Sequence, residues 1–150
     1  MSKKLFLALI ALYAIFLAFI FTGEAYYQAS LRFDTGKLPA QLAQRYIGYA
    51  IAFNPFNAEY RFQKYSIFKD SRAASLRQIK QAIELDPLKP AYHMYYGLSL
   101  LESFPPDKFS AQLQLRMAKK ELIAASRLKP YSELYQKTCA DYSAWIDRQL

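Results

Sequence analysis

His93 and Cys139 are the only histidine and the only cysteine in the 150 residues. Hydrolytic or group-transfer chemistry through side chains needs a nucleophile, a base within reach and a group that orients the base. His93 stands in the run Tyr92-His93-Met94-Tyr95-Tyr96 with no acid or nucleophile at a fixed spacing, and a partly buried packing role accounts for it. A single cysteine closes off an internal disulfide and any cysteine-based metal site. Cys139 itself reads as a small apolar core residue rather than a reactive thiol. Glu84 and Asp86 precede Pro87, where aspartate is common for turn reasons, so they do not make an acid and base pair. Gly23, Gly36, Gly48 and Gly97 are the only glycines and are far apart, which leaves no phosphate cradle among sequence neighbours. These residue types predict no catalytic residue, no metal and no cofactor, and the chain is expected not to be an enzyme.

Binding is the chemistry that remains. Thirteen tyrosines could line a groove for a peptide or a sugar, since tyrosine offers a large contact area with a polar tip. Aromatics at helical spacing more often form core, so most are assigned there and a minority to a groove. The stretch Phe104-Pro-Pro-Asp-Lys-Phe109 is too apolar for a plain solvent linker; its phenylalanines either meet a partner or fold back on the domain. The formal charge is +8, of which Lys3 and Lys4 supply 2, but the remaining basic residues are scattered and their longest run, Lys119-Lys120, suits a solvated helix face. No basic stripe with interleaved aromatics points to nucleic acid.

The elements that must position these residues follow from a phrase that occurs three times: Ala50-Ile-Ala-Phe53-Asn-Pro55, Ala82-Ile-Glu-Leu85-Asp-Pro87 and Ala125-Ser-Arg-Leu128-Lys-Pro130. Each proline is followed five residues later by tyrosine, namely Tyr60, Tyr92 and Tyr135. Alanine and the residue three places on share a helical face, proline ends the ladder, and the tyrosine belongs to the next helix. Every copy therefore predicts a helix-turn-helix corner. Seven residues before each alanine stands a small residue, Ala43, Ser75 or Ala118, and three before it a large aliphatic, Ile47, Ile79 or Leu122.

This pattern resembles the second helix of tetratricopeptide (TPR) repeats. The prolines are 32 and 43 residues apart, against a TPR period of about 34, and the longer interval holds the Phe104 to Phe109 insertion. Gly97 and Ala140 also match the small residue expected in the following helix. Tyr65 does not, and the family's early tryptophan is replaced by a tyrosine one place sooner. The resemblance covers roughly residues 22 to 150. It implies an all-α fold: repeats near 22–55, 56–87 and 88–130, and a capping helix at 131–150, within a domain of residues 23–150. It further implies a concave partner-binding surface on the first helix of each pair, at Phe62, Ser66, Lys69, Met94, Leu98 and Leu101, with Lys137 and Asp141 on the cap. Phe104 and Phe109 of the insertion join these as candidate contacts.

Ahead of the repeats, Leu5 to Phe21 is an unbroken apolar run preceded by Lys3 and Lys4. As helix it measures roughly 26 Å, slightly short of the bilayer's apolar core of about 30 Å, and Tyr26 and Tyr27 would serve as interfacial anchors. The run exceeds the usual leader-peptide core and lacks a good small-x-small cleavage site. Residues 1–22 are therefore expected to be a retained single-pass anchor in the inner membrane. The two lysines place the N-terminus in the cytoplasm and the domain across the membrane, in the periplasm of a bacterium. Glu24 to Phe33 contains no helix breaker, so the anchor is expected to run on into the first repeat helix.

The expected function is a non-catalytic scaffold that binds a protein partner, such as a subunit of a cell-envelope membrane complex, while Leu5 to Phe21 contacts lipid. The alternative within that architecture is a peptide-binding assembly factor, similar to the TPR factors of cytochrome c maturation and pilus assembly. A different class, a sugar-binding or enzymatic module built on the tyrosine groove with His93, is the remaining reading.

Overall fold

The computed structural model describes residues 3–34, 36–68, 71–102 and 105–150. Among these residues the regular structure is helical throughout, with seven α-helices and one 3₁₀ turn. They form two compact units, residues 1–69 and 70–150.

The first unit contains α1 (Lys3–Ser30), a 3₁₀ turn (Leu31–Phe33), α2 (Ala40–Phe53) and α3 (Ala58–Ile67). Its 28-residue α1 passes through Gly23 without a break, as the absence of breakers predicts. The half of α1 that carries Leu5 to Phe21 leaves its side chains largely exposed, and one window of it is long and apolar enough to cross a membrane. The other half packs on α2. Gly23 makes that approach possible, because a β-carbon there would stand 3.3 Å from both the Ala50 carbonyl oxygen and Phe53 Cβ. Ser30 is fully buried in this stretch, and its hydroxyl donates to the Tyr27 carbonyl.

Gly36 adopts φ +70°, the left-handed conformation that glycine takes without strain and that turns the chain toward α2. The core is Ala43, Ile47, Ala50, Ile51, Tyr60 and Ile67, flanked by Tyr26, Tyr27, Phe33 and Leu38. The Tyr60 hydroxyl donates to Glu24 at 3.0 Å and Gln63 donates to Asp34 at 3.2 Å, so α3 is tied by polar contacts to the segment beyond the apolar run.

The second unit contains α4 (Arg72–Leu85), α5 (Pro90–Leu101), α6 (Lys108–Leu128) and α7 (Glu133–Asp147), each packed on the next. The phrase positions Ile79, Ala82, Ala118, Leu122 and Ala125 are all fully buried, whereas Ser75 is only half-buried. Gly97 faces the backbone of α6: a β-carbon there would lie 3.0 Å from Leu122 Cγ and 3.1 Å from the Ala118 carbonyl oxygen. Tyr60, Tyr92 and Tyr135, the tyrosines that follow the three prolines, are buried.

One local expectation is corrected. Helix α6 has 21 residues against 14 in α2 and in α4, so most of the longer interval between prolines is added helix rather than loop. Its N-cap is Asp107; the Asp107 carboxylate accepts the Ser110 N–H at 2.7 Å, and that bond holds the carboxyl below its usual range. Ser71 occupies the N-cap of α4 by position, but its side chain makes no capping bond. The end of α5 has a tertiary solution instead. Arg72 donates to the Ser99 and Leu100 carbonyls at 3.3 Å, and Gln114 donates to the Leu100 carbonyl as well, which satisfies carbonyls that a helix end leaves open.

Candidate functional site

A cleft of about 420 Å³ opens in the second unit. Leu101 from the last turn of α5 forms one wall; Asp141, Tyr142 and Trp145 of α7, with Arg148 just beyond it, form the other. Residues spaced i, i+1, i+4 and i+7 share one side of a helix, and the packing of α7 through Tyr135, Cys139 and Ile146 turns that side toward Leu101. An aromatic floor with a carboxylate and a guanidinium at its rim is suited to an apolar side chain flanked by polar backbone, the surface a peptide or protein segment offers.

Leu101 and Asp141, both anticipated from the repeat register, are thus brought together. Met94 and Leu98 are half-buried on α5 in the same row as Leu101, and Lys137 is exposed one turn before Asp141; none of the three lines the cleft. Phe62 and Ser66 belong to the first unit, where Phe62 stacks on Tyr65 at 5.7 Å and the Ser66 hydroxyl donates to the Gln63 carbonyl. Phe109 sits in the first turn of α6 and is 78% exposed, so it does not fold back on the domain. Lys69 and Phe104 lie outside the described residues.

Sequence reasoning missed Tyr142, Trp145 and Arg148 as lining residues. Tyr142 repeats the spacing of Tyr135 and Cys139 and reads as core, but it is 42% exposed. The available signal was the lone tryptophan one turn after Asp141.

The candidates for chemistry are accounted for structurally. His93 Nδ1 lies 2.7 Å from Glu121 Oε2 and Nε2 lies 2.9 Å from the Pro87 carbonyl oxygen. Both ring nitrogens are therefore occupied, and the side chain is buried, so neither nitrogen is free to act as a base on a ligand. Together with Tyr96, whose hydroxyl pKa is raised by burial and then by Glu121, His93 forms a polar clamp between α5 and α6. Burial also pushes the Cys139 thiol up, away from the thiolate a reactive cysteine needs. The Asp86 carboxylate accepts the Leu88 N–H at 3.2 Å, the turn role its position suggested. Among the described residues no group of three or more histidine, cysteine, aspartate or glutamate side chains could hold a metal.

Neither a protein-family model nor a curated protein sequence matches the chain. Solved structures do. The Yersinia enterocolitica type III secretion chaperone SycD, in complex with a peptide of the translocator YopD, superposes with a TM-score of 0.67 at 11% identity over 84% of this chain and 92% of its own. The first TPR of Spaghetti (RPAP3), bound to the HSP90 peptide SRMEEVD, gives 0.67 at 14% identity over 85% and 98%. A Thermobaculum terrenum O-GlcNAc transferase gives 0.55 at 18% identity over 86% of this chain but only 22% of the transferase. The fold is TPR-like and all-α.

Proposed function

We propose that the chain is a non-catalytic, membrane-anchored TPR-type scaffold that binds a protein partner in the assembly or stabilisation of a cell-envelope membrane complex. Residues 1–22 anchor it in the inner membrane, and residues 23–150 act on the periplasmic side. The observation that carries the reading is the cleft of Leu101, Asp141, Tyr142, Trp145 and Arg148, in a fold whose solved neighbours SycD and RPAP3 hold peptides. Met94, Leu98 and Lys137 extend this contact along α5 and α7. Phe62, Ser66 and Lys69 form the contribution of the first unit, and Phe104 and Phe109 that of the inserted stretch.

The unbroken passage of α1 into a packed pair with α2 favours a subunit docked at a fixed height above the bilayer over a factor that searches on a flexible tether. The peptide-bound neighbours favour the second reading, a chaperone for extended segments. Affinity purification of the full chain from detergent-solubilised membranes, followed by mass spectrometry, tests both. Trp145→Ala and Asp141→Arg are expected to lose a partner that Lys80→Ala on α4 retains. Equal recovery with all three variants would reject the cleft as the docking site.

A further inference from the structure

Basic side chains that look scattered in the sequence are gathered by α6. Arg116, Lys120, Ile123, Ala124 and Arg127 stand at i, i+4, i+7, i+8 and i+11, which is one side of a helix. Leu115, Ala118, Leu122 and Ala125 bury the opposite side in the core. Together with Lys119 and Leu150, the outward residues line a groove of about 600 Å³ in the second unit. Its floor is apolar, formed by half-buried Ile123 and Ala124 and by Leu150. The Leu150 N–H donates to the Ile146 carbonyl at 3.2 Å, and Lys119 pairs with Asp147, so the end of α7 closes one wall. Asp147 and Trp145 flank buried Ile146 on opposite sides of α7, which separates this groove from the Trp145 cleft.

The charge on this face is not balanced locally. A solvated helix face ordinarily mixes its charges, with acids three or four residues from bases. No aspartate or glutamate stands three or four residues from Arg116, Lys120 or Arg127, and none of the three forms an ion pair among the described residues. Glu121, the sole acid of α6, is turned to His93. Arg116 and Lys120 are like charges one turn apart, an arrangement that destabilises a helix unless an anion meets it. Asp147 compensates Lys119 alone.

We propose that this groove is a second contact surface, for an acidic protein segment. Carboxylates of the segment pair with Arg116, Lys120 and Arg127, and one of its apolar side chains rests on Ile123, Ala124 and Leu150. From Arg116 to Arg127 the helix rises roughly 16 Å, a span that an extended chain covers in about five residues. The segment therefore carries acids about five residues apart with an apolar residue between them. The planar fork of arginine suits a carboxylate. A recessed apolar floor admits a single side chain, whereas a lipid surface would lie across the rim. No aromatic ring lines the groove, so a nucleobase would have nothing to stack on. This surface stands independently of the cleft.

The test uses the full chain in non-ionic detergent and a fluorescein-labelled peptide, Glu-Glu-Ser-Leu-Ser-Glu-Glu, followed by fluorescence anisotropy. Binding is expected to weaken as salt is raised, to vanish when glutamine replaces the four glutamates, and to fall when serine replaces the leucine. Arg116→Gln combined with Lys120→Gln is expected to weaken it about fivefold or more, as the loss of two exposed ion pairs allows. Arg116→Lys with Lys120→Arg keeps the charge and should retain binding, and Lys80→Gln on α4 should leave it unchanged. Far-ultraviolet dichroism checks that each variant is folded. Absence of binding at low salt, or binding indifferent to the paired glutamine substitutions, overturns the groove. Binding that is lost with Trp145→Ala but kept with the paired glutamine substitutions places the peptide in the cleft and overturns it as well. Capture of single-stranded RNA or of phosphatidylglycerol micelles through Arg116 and Lys120, with no peptide bound, overturns the acidic protein segment as the occupant.

Discussion

Gly48→Ala and Gly97→Ala are the same substitution in the interior of a helix, and their surroundings give them opposite signs. Alanine is favoured over glycine there by about 1 kcal/mol, through the backbone freedom glycine loses on folding. At Gly48 an added β-carbon meets nothing within 4 Å, so the whole gain is realised. At Gly97 it would lie 3.0 and 3.2 Å from two atoms of Leu122 and 3.1 Å from the Ala118 carbonyl oxygen. Leu122 is fully buried and the carbonyl is backbone, so neither retreats unless α6 moves. Forced volume in a packed core costs about 1 to 3 kcal/mol, which after the helix-propensity gain leaves a net loss of roughly 0 to 2 kcal/mol. For a chain of this size 1 kcal/mol corresponds to about 2 to 4 °C in Tm. The assay is thermal unfolding of the detergent-solubilised full chain by far-ultraviolet dichroism, with hydrogen exchange to assign the change to α2 or to the α5 and α6 pair. Gly48→Ala raises Tm and Gly97→Ala lowers it. A Gly97→Ala variant as stable as Gly48→Ala would refute the close approach of α5 to α6.

Ala82→Phe places a ring at a fully buried phrase position and should destabilise the second unit by about 1 to 3 kcal/mol, read from the same melts. The Tyr60 hydroxyl pKa is pushed up to about 12, by burial first and by the bond to Glu24 second, from an ordinary 10.0. Because the folded state holds this proton more tightly, its contribution is complete below pH 10 and is lost as pH rises toward 12. Tyr60→Phe should therefore flatten the alkaline fall in stability, as measured by denaturant titration at a series of pH values. Asp107→Ala should speed amide exchange over the first turn of α6 while Ser110→Ala leaves it nearly unchanged, because the Asp107 carboxylate caps the helix. A flexible Gly-Ser insertion after Gly23 should abolish partner recovery with the domain still folded, and unchanged recovery would reject rigid docking in favour of a tethered chaperone.

The repeated phrase made most of the fold legible, because proline and the small and aliphatic positions before it act locally on helix ends and helix faces. Hence α4 ends at Leu85, two residues before its phrase proline, and Ala43, Ile47 and Ala50 are fully buried. What was not legible depends on partners distant in sequence. Arg72 and Gln114 close the end of α5 from other helices, and Glu121 reaches His93 across 28 residues. The length of α6 was hidden because Pro105 and Pro106 look like a loop, while the helix starts immediately after the Asp107 cap. In the cleft, Leu101 and Asp141 followed from the repeat register. Tyr142 did not, because spacing alone cannot distinguish the covered side of α7, packed on α6, from the side that stays open.

The central claim, that the α5 and α7 cleft holds a protein partner at the membrane, is tested most directly by site-specific photocrosslinking in intact membranes. A photoreactive amino acid replaces Trp145 in the full chain, with the same group at Lys80 as control. The account predicts a discrete protein adduct from position 145 that disappears when Asp141→Arg is added and is absent from position 80. Adducts of equal yield from both positions, or an adduct at 145 that persists with Asp141→Arg, would contradict it.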